Sequence, residues 1–550
     1  MATYDAPVSP TTSAAVRPAP SAEELAGAAR QDASGSHPAS EGRLRRHLLG
    51  RAPSARVWGW LAPALVALLG GALRFWRLDQ PHQLVFDETY YVKQAYTLWQ
   101  NGFENQWPKD SDKRFTAGAP DVFLTVGDRA VHPPVGKWMI AAGEWAFGID
   151  SSWGWRFSAA VVGTLMILIL ARTARRLFGS TLLGTTAGLL LAVDGHHIVH
   201  SRTSLLDIFL SFWVLCAFAL LVLDREHSRI RLARAVAARR TQGTLTLMGP
   251  WLGVRPLRLA AAVCLGLACG TKWSGLYFTA AFCLMSVLWD LGARRAAGVR
   301  SPWGAAVLKD GIPAALLMLP VVLVVYTTSW IGWMRSEGGY LRGWGAENPS
   351  DSWVPDVLRS LWHYHADMYD FHQGLASDHP YESKPWSWIV QGRPTSFFYE
   401  SPERGTNGCA VDSCSEAITS LGNPIVWWGA TLALFVLVVC WVGRRDWRAG
   451  AILGAFAAGW LPWFAYPERT IYSFYAVAFL PYLVLALTYV LGLLLGPPDA
   501  PPDRRMRGAV MAGSVVVLAV LVGAFFLPVW TAETIPNQQW QMRMWLPSWV

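Results

Sequence analysis

Apolar residues in this chain come in long unbroken runs rather than in the alternation of a strand or the one-sided stripe of a surface helix. The first, "VWGWLAPALVALLGGALRFWRL" from Val57 to Leu78, holds the roughly 20 apolar residues that a membrane-crossing helix needs. Comparable runs lie near Trp155–Ala174, Ser180–His197, Leu205–Leu223, Leu257–Gly270, Trp273–Leu291, Ile312–Trp333, Pro424–Val442, Ala449–Tyr466, Ile471–Leu495 and Gly508–Trp530. The pattern therefore predicts an all-α polytopic membrane protein with about 11 transmembrane helices, the fifth run being unusually short. Before the first run, residues 1–56 are rich in Ala, Pro, Ser and charge and show no apolar face. Such a segment is expected to remain a disordered tail, and it lacks the apolar centre and cleavage site of a secretory signal, leaving the first helix to direct insertion.

Composition agrees with a lipid environment: 53% of the 550 residues are hydrophobic, 15% are charged and 31 are Trp, against the balance of a soluble enzyme. The net charge of +9 sits largely in "RLRRHLLGR", "ARTARR", "REHSRIRLARAVAARR", "ARRAAGVR", "GRRDWR" and "DRRMR", on alternate connections between the runs. Basic loops mark the cytoplasmic side, so the amino terminus is expected in the cytoplasm and the carboxyl terminus outside. The charge is a topology signal, and nucleic-acid binding is the poorer explanation.

Two exterior connections, 79–154 and 334–423, are too long to be turns, and long structured loops on a membrane scaffold carry function. The first contains "VFDETYYVKQAYTLW" and "VHPPVGKWMIAAGEWAFG", the latter reading as a helix along the membrane surface. The second is crowded with Trp344, Trp353, Trp362, His363, His365, Trp386 and Trp388, suited to interface anchoring or to stacking on a sugar face. Five cysteines fall in the apolar runs, whereas Cys409 and Cys414 of "GCAVDSC" face an oxidising compartment as a disulfide, two free thiols or a metal pair.

Charges that break the topology rule are the candidate chemistry. Arg156, Arg202, Lys272 and Arg469 fall at exterior helix ends, near the level where Asp87 and Glu88 emerge. Each alone is a snorkelling anchor or an anion ligand, but four on one face suit a phosphate at the outer surface. The acids are either solvated or a base facing that cluster. Asp207, a turn inside the fourth run, is placed to pair with Arg202 or Lys272. "KDSDK", with Asp110 and Asp112, reads as a solvated turn, and His196, His197 and His200 as packing or substrate contacts rather than metal ligands. No phosphate-loop or zinc spacing appears.

"FDETYY", "HPPVGKW", "RFSAAVVG", "SRTSLLDIFL", "GLACGTKWSGLYF" and "NPIVWW", in this order, resemble the motifs of protein O-mannosyltransferases, in particular their bacterial branch. The resemblance covers nearly everything after the tail and implies a C-type glycosyltransferase (GT-C) fold over 57–550. It implies transfer of mannose from polyprenyl-phosphate mannose to Ser or Thr of secreted or membrane proteins, with inversion at the sugar and no metal called for. By it, Asp87 is the catalytic base and Glu88 its partner. Arg156 and Lys272 hold the donor phosphate by it, Arg202 and Arg469 join them on the charge pattern alone, and Tyr90, His132, Lys137 and Asp207 are the candidate substrate contacts. The enzyme would be multi-pass in the plasma membrane, with its site outside and its acceptors arriving by secretion. Two departures stand out. The roughly 90 residues of 334–423 are too few for the β-trefoil domain of eukaryotic members, and "TIYSFYAV", with Tyr472 and Tyr475, stands where those members tend to carry histidines. Two other classes compete: a GT-C enzyme acting on a lipid or polysaccharide acceptor, and a transporter, which would call for internal repeats that the chain does not display.

Overall fold

The computed structural model describes residues 37–49 and 57–550. The expected unordered tail falls outside these residues except at 37–49, where a helix, α1 (His37–Leu49), stands instead. Leu48 on α1 is buried against Leu232, Ala233 and Val236, which explains its order.

A helix occupies each predicted apolar run. In chain order they are α2 (Trp58–Phe75), α5 (Ser152–Phe178), α6 (Thr181–Ala192), α8 (Leu206–Thr241), α9 (Pro256–Cys269), α10 (Gly275–Ala296), α11 (Ile312–Ser329), α13 (Pro424–Arg444), α14 (Trp447–Trp460), α15 (Leu480–Leu495) and α16 (Pro502–Phe526). Between them lie α3 (Glu88–Asn101), α4 (Val135–Phe147), α7 (Gly195–His200) and α12 (Asp356–Gly374). Among the described residues seven helices are long and apolar enough to cross a membrane, and α6, α9 and α15 are shorter apolar helices. Every residue from Leu480 to Tyr489 is buried, which puts α15 at the centre of the bundle. By contrast, α11 exposes Leu316, Leu323 and Val324. An all-apolar helix with an open face is stable only against lipid.

Three predicted elements differ in form. The run Ser180–His197 is broken because Asp194 caps a new helix: its carboxylate accepts from the backbone N–H of His197 at 3.0 Å and of Asn423 at 3.0 Å, and from Trp427 Nε1 at 2.8 Å. The basic stretch after Leu223 is no loop but the continuation of α8, which at 36 residues spans about 54 Å, beyond the ~30 Å of hydrocarbon. Finally, the chain is not wholly helical. In the second long connection β1 (Thr395–Glu400) pairs antiparallel with β2 (Cys414–Ser420), and β3 (Ile535–Pro536) pairs with β2 on the other side. Cys409 and Cys414 form a disulfide at the hairpin. Gln83 also donates to Glu400 at 3.1 Å. Residues 79–154, 334–423 and the carboxyl-terminal segment therefore share one side of the molecule.

Candidate active site

Asp87 stands at the amino end of α3, where the helix dipole favours carboxylates. The turn into it is strained: Phe86 adopts φ +49°, a left-handed conformation costly for a bulky residue. Its ring is held by a stack on Phe397 at 4.7 Å and an edge contact with Phe474 at 5.4 Å. Packing from two distant segments thus fixes the direction of the acid that follows.

The two adjacent acids have opposite environments. Glu88 is fully buried and saturated with donors. Its oxygens accept from the N–H of Val85 at 3.0 Å and of Ser204 at 2.9 Å, and from Arg156 Nε and Nη2 at 2.9 Å each. Arg156 also donates to the carbonyls of Pro81 and Gln83, both at 3.0 Å. This bidentate pair pins the loop that delivers Asp87, so the expected phosphate role of Arg156 is corrected: its fork is engaged by Glu88 and backbone. Asp87, by comparison, is only half-buried and has one side-chain partner, Tyr91, whose hydroxyl donates at 3.4 Å. Burial pushes its pKa up to about 6, opposed by Lys272 and reinforced by Asp207.

Lys272, the cation that acts on Asp87, lines a cavity of about 620 Å³. Its polar end is lined by His132, Lys272, His372, Arg469 and Tyr475, and its apolar wall by Leu319, Val322 and Leu323 of the lipid-facing α11. Lys272 Nζ is 3.0 Å from both oxygens of Asp207 and 4.8 Å from the centre of the Tyr475 ring. The ring of His132 stacks on His372 at 5.2 Å and faces Tyr91 at 6.0 Å. Burial first, then the neighbouring Lys272 and other cations, hold His132 well below the usual histidine pKa, so it is neutral and able to accept a hydrogen bond. Arg469 donates through Nε to the His372 carbonyl at 3.1 Å.

The structure therefore brings Lys272, His132 and Arg469 into the lining of one cavity, sets Asp207 behind Lys272 and Asp87 within electrostatic reach of both, and gives the other expected residues different partners. The guanidinium of Arg202 is taken by the carbonyls of Leu73, Arg74 and Arg77, at 3.3, 2.9 and 2.9 Å. It closes the end of α2, as orphan helix carbonyls require, so its donors are committed to backbone and not directed at the cavity where a phosphate was expected. Lys137 is buried in an ion pair with Glu104 and donates to the His132 carbonyl at 2.9 Å, so it supports the His132 loop instead of meeting substrate. Tyr90 is 62% exposed, and it is its neighbour Tyr91 that meets Asp87. The spacing carried that signal, since Tyr91 is one helical turn from Asp87. Asp207 pairs with Lys272, not Arg202. Asp112, read as part of a solvated turn, accepts from Lys93 at 2.6 Å and from Thr89 at 2.7 Å, and so braces α3. His372, Tyr326 and Tyr277, which also border the cavity, carried no sequence signal beyond their residue type.

Comparison with known proteins identifies the relatives of the chain. Residues 64–330 match the family model described as dolichyl-phosphate-mannose-protein mannosyltransferase, and 357–549 that of the C-terminal four TMM region of protein-O-mannosyltransferase. The polyprenol-phosphate-mannose–protein mannosyltransferase of Mycolicibacterium smegmatis (strain MKD8) is 39% identical over 508 residues, 90% of this chain and 94% of that protein. The protein of the same name from Mycobacterium tuberculosis (strain H37Rv) is 38% identical over 513 residues, covering 90% and 93%. That of Corynebacterium glutamicum is 35% identical over 490 residues, covering 84% and 88%. Among solved structures, the S. cerevisiae protein O-mannosyltransferase Pmt1-Pmt2 complex bound to the sugar donor superposes with a TM-score of 0.64 at 14% identity, covering 93% of this chain and 94% of that one. ArnT from Cupriavidus metallidurans bound to undecaprenyl phosphate gives 0.50 at 17% identity, covering 87% and 77%. The architecture is the GT-C fold. On the identity and coverage of its mycobacterial and corynebacterial relatives, the chain belongs to the protein O-mannosyltransferase family.

Proposed function

We propose that this protein transfers mannose from polyprenyl-phosphate mannose to Ser and Thr hydroxyls of proteins on the outer side of the plasma membrane, with Asp87 as general base. The relatives bear the name of the overall reaction. The observation that carries the residue assignment is the half-buried Asp87, with its pKa raised to about 6 and electrostatically coupled to Lys272, which itself lines a cavity whose far wall is lipid-facing.

The chemistry follows from that arrangement. The prenyl chain lies against Leu319, Val322 and Leu323, and the phosphate meets Lys272 and Arg469. As the acceptor oxygen attacks the anomeric carbon, its proton passes to Asp87. The bond from that carbon to the phosphate oxygen breaks, and the electron pair leaves on the phosphate, where the two cations offset the added charge. A single displacement with one base inverts the anomeric centre, in contrast to the closely paired carboxylates of a retaining enzyme. Glu88 acts on Asp87 through the backbone, by holding the loop.

The test is to incubate the purified protein with labelled polyprenyl-phosphate mannose and, in parallel, a Ser/Thr-rich peptide or a glycolipid acceptor. Label on the peptide hydroxyl supports the reading, and label on the glycolipid alone would replace it with the lipid-acceptor activity. Asp87→Asn is expected to lower transfer at least about a hundredfold, the range of a lost general base, and near-normal transfer by that variant would remove the assignment.

A further inference from the structure

His372, near the end of α12, contacts two other segments that border the cavity. Its Nδ1 is 3.2 Å from Arg469 Nη2, and its Nε2 is 2.8 Å from the carbonyl oxygen of Val131, next to His132. These partners assign the tautomer without ambiguity. A guanidinium only donates, so Nδ1 must accept; a carbonyl only accepts, so Nε2 must carry the proton. The ring is therefore a neutral imidazole with one defined orientation. The same residue's backbone carbonyl receives Arg469 Nε, so two of the three guanidinium nitrogens are directed by one residue. On its faces the ring stacks on His132 at 5.2 Å and packs near Trp273 at 6.0 Å.

A long flexible arginine at a cavity rim would otherwise lose rotamer freedom each time it engaged an anion, and fixing it in advance lowers that cost. We propose that His372 is the positioning residue of the donor site: through Nδ1 it aims Arg469 at the sugar-bearing lipid phosphate, and through Nε2–H it ties that cation to the His132 loop. The proposal rests on the reading of Arg469 as a phosphate ligand. Protonation at Nδ1 would abolish the acceptor and set two cations face to face; burial, with Arg469 and Lys272 adding to it, holds the pKa at about 4 and keeps the ring neutral throughout the working range.

Two amide substitutions separate the two contacts. In His372→Asn the side-chain oxygen falls where Nδ1 lies and keeps an acceptor for Arg469, whereas in His372→Gln the amide nitrogen falls where Nε2 lies and keeps only the bond to Val131. With the full-length protein and labelled polyprenyl-phosphate mannose, His372→Gln is expected to raise the donor KM about tenfold while leaving the peptide KM within about twofold, and His372→Asn to recover most of that loss. In an Arg469→Ala background, His372→Gln should have no further effect on donor KM. Equal donor KM in the two amide variants, or an undiminished effect without Arg469, would overturn the proposal and leave His372 a packing residue. If Arg469→Ala itself leaves donor KM unchanged, the phosphate reading of Arg469 falls, and the positioning role falls with it.

Discussion

At the scale of single residues, the neighbouring acids divide into a proposed base, Asp87, and a structural ion-pair partner, Glu88. Asp87 must be ionised to accept a proton, and its folded pKa is raised to about 6 by burial. The rate of the chemical step is therefore expected to rise as pH increases through about 6 and to level off above it. At pH 5 about a tenth of the carboxylate is charged, so single-turnover transfer should fall about tenfold from its plateau. A flat profile between pH 5 and 8, with chemistry rate-limiting, would contradict the role. Glu88 predicts the opposite behaviour. Glu88→Ala leaves buried Arg156 without its carboxylate, and breaking a buried pair costs about 3–5 kcal/mol. Detergent-phase thermal unfolding should show that loss in Glu88→Ala and only a small change in Asp87→Asn. Arg156→Ala should likewise behave as a folding variant, lowering donor and acceptor turnover together.

Much of the site was legible at this scale. Adjacent acids at the end of an apolar run, with Lys272 and Arg469 at equivalent ends, marked the place. The division of labour was not legible, because it depends on which cation each acid meets. Arg156, 68 positions from Glu88, reaches it only once α5 packs beside the loop. Tyr90 and Tyr91 differ only in which face of α3 they occupy, and Tyr91 could have been chosen from its spacing to Asp87.

At the scale of elements, α4 holds the loop before it. Lys137, in the first turn of α4, reaches back to the His132 carbonyl while paired with buried Glu104. In Lys137→Met the amine is lost and Glu104 remains buried without its cation. The expected result is faster hydrogen exchange across 128–137, with donor and acceptor KM both raised several-fold. A change confined to acceptor KM would point to direct substrate contact by Lys137 instead. The break between α6 and α7 belongs to the same scale. Hydropathy carried the run through Asp194 as one span, but a buried carboxylate with three donors terminates it, and two of those donors come from residues 423 and 427.

At the scale of the whole molecule, the two ends of the bundle are separate. At the end away from the cavity, Arg255 joins Asp224 at 3.1 Å and Asp290 at 2.7 Å, and Arg258 also pairs with Asp290, linking α8, α9 and α10. Asp290 lies about 22 Å of helical rise along α10 from Gly275, just after Lys272. Asp290→Ala leaves two buried guanidiniums sharing Asp224, and is expected to cost about 3–5 kcal/mol in unfolding with KM for both substrates unchanged in the folded fraction. Altered KM would show that the network reaches the site.

The sequence by itself determined that the chain enters lipid, where most of its apolar helices run, which long connections share a side and where the adjacent acids Asp87 and Glu88 emerge. Those are properties of contiguous residues: run length, charge on alternate loops, spacing within one turn. Only the tertiary structure decided that Glu88 and Arg156 are a brace, that Arg202 closes α2, that His372 meets Arg469, and that a strand from the carboxyl terminus pairs with the β1–β2 hairpin. Each joins segments far apart in the chain. A buried charge or an open backbone group must find a partner wherever packing brings one, and no local pattern records which that will be.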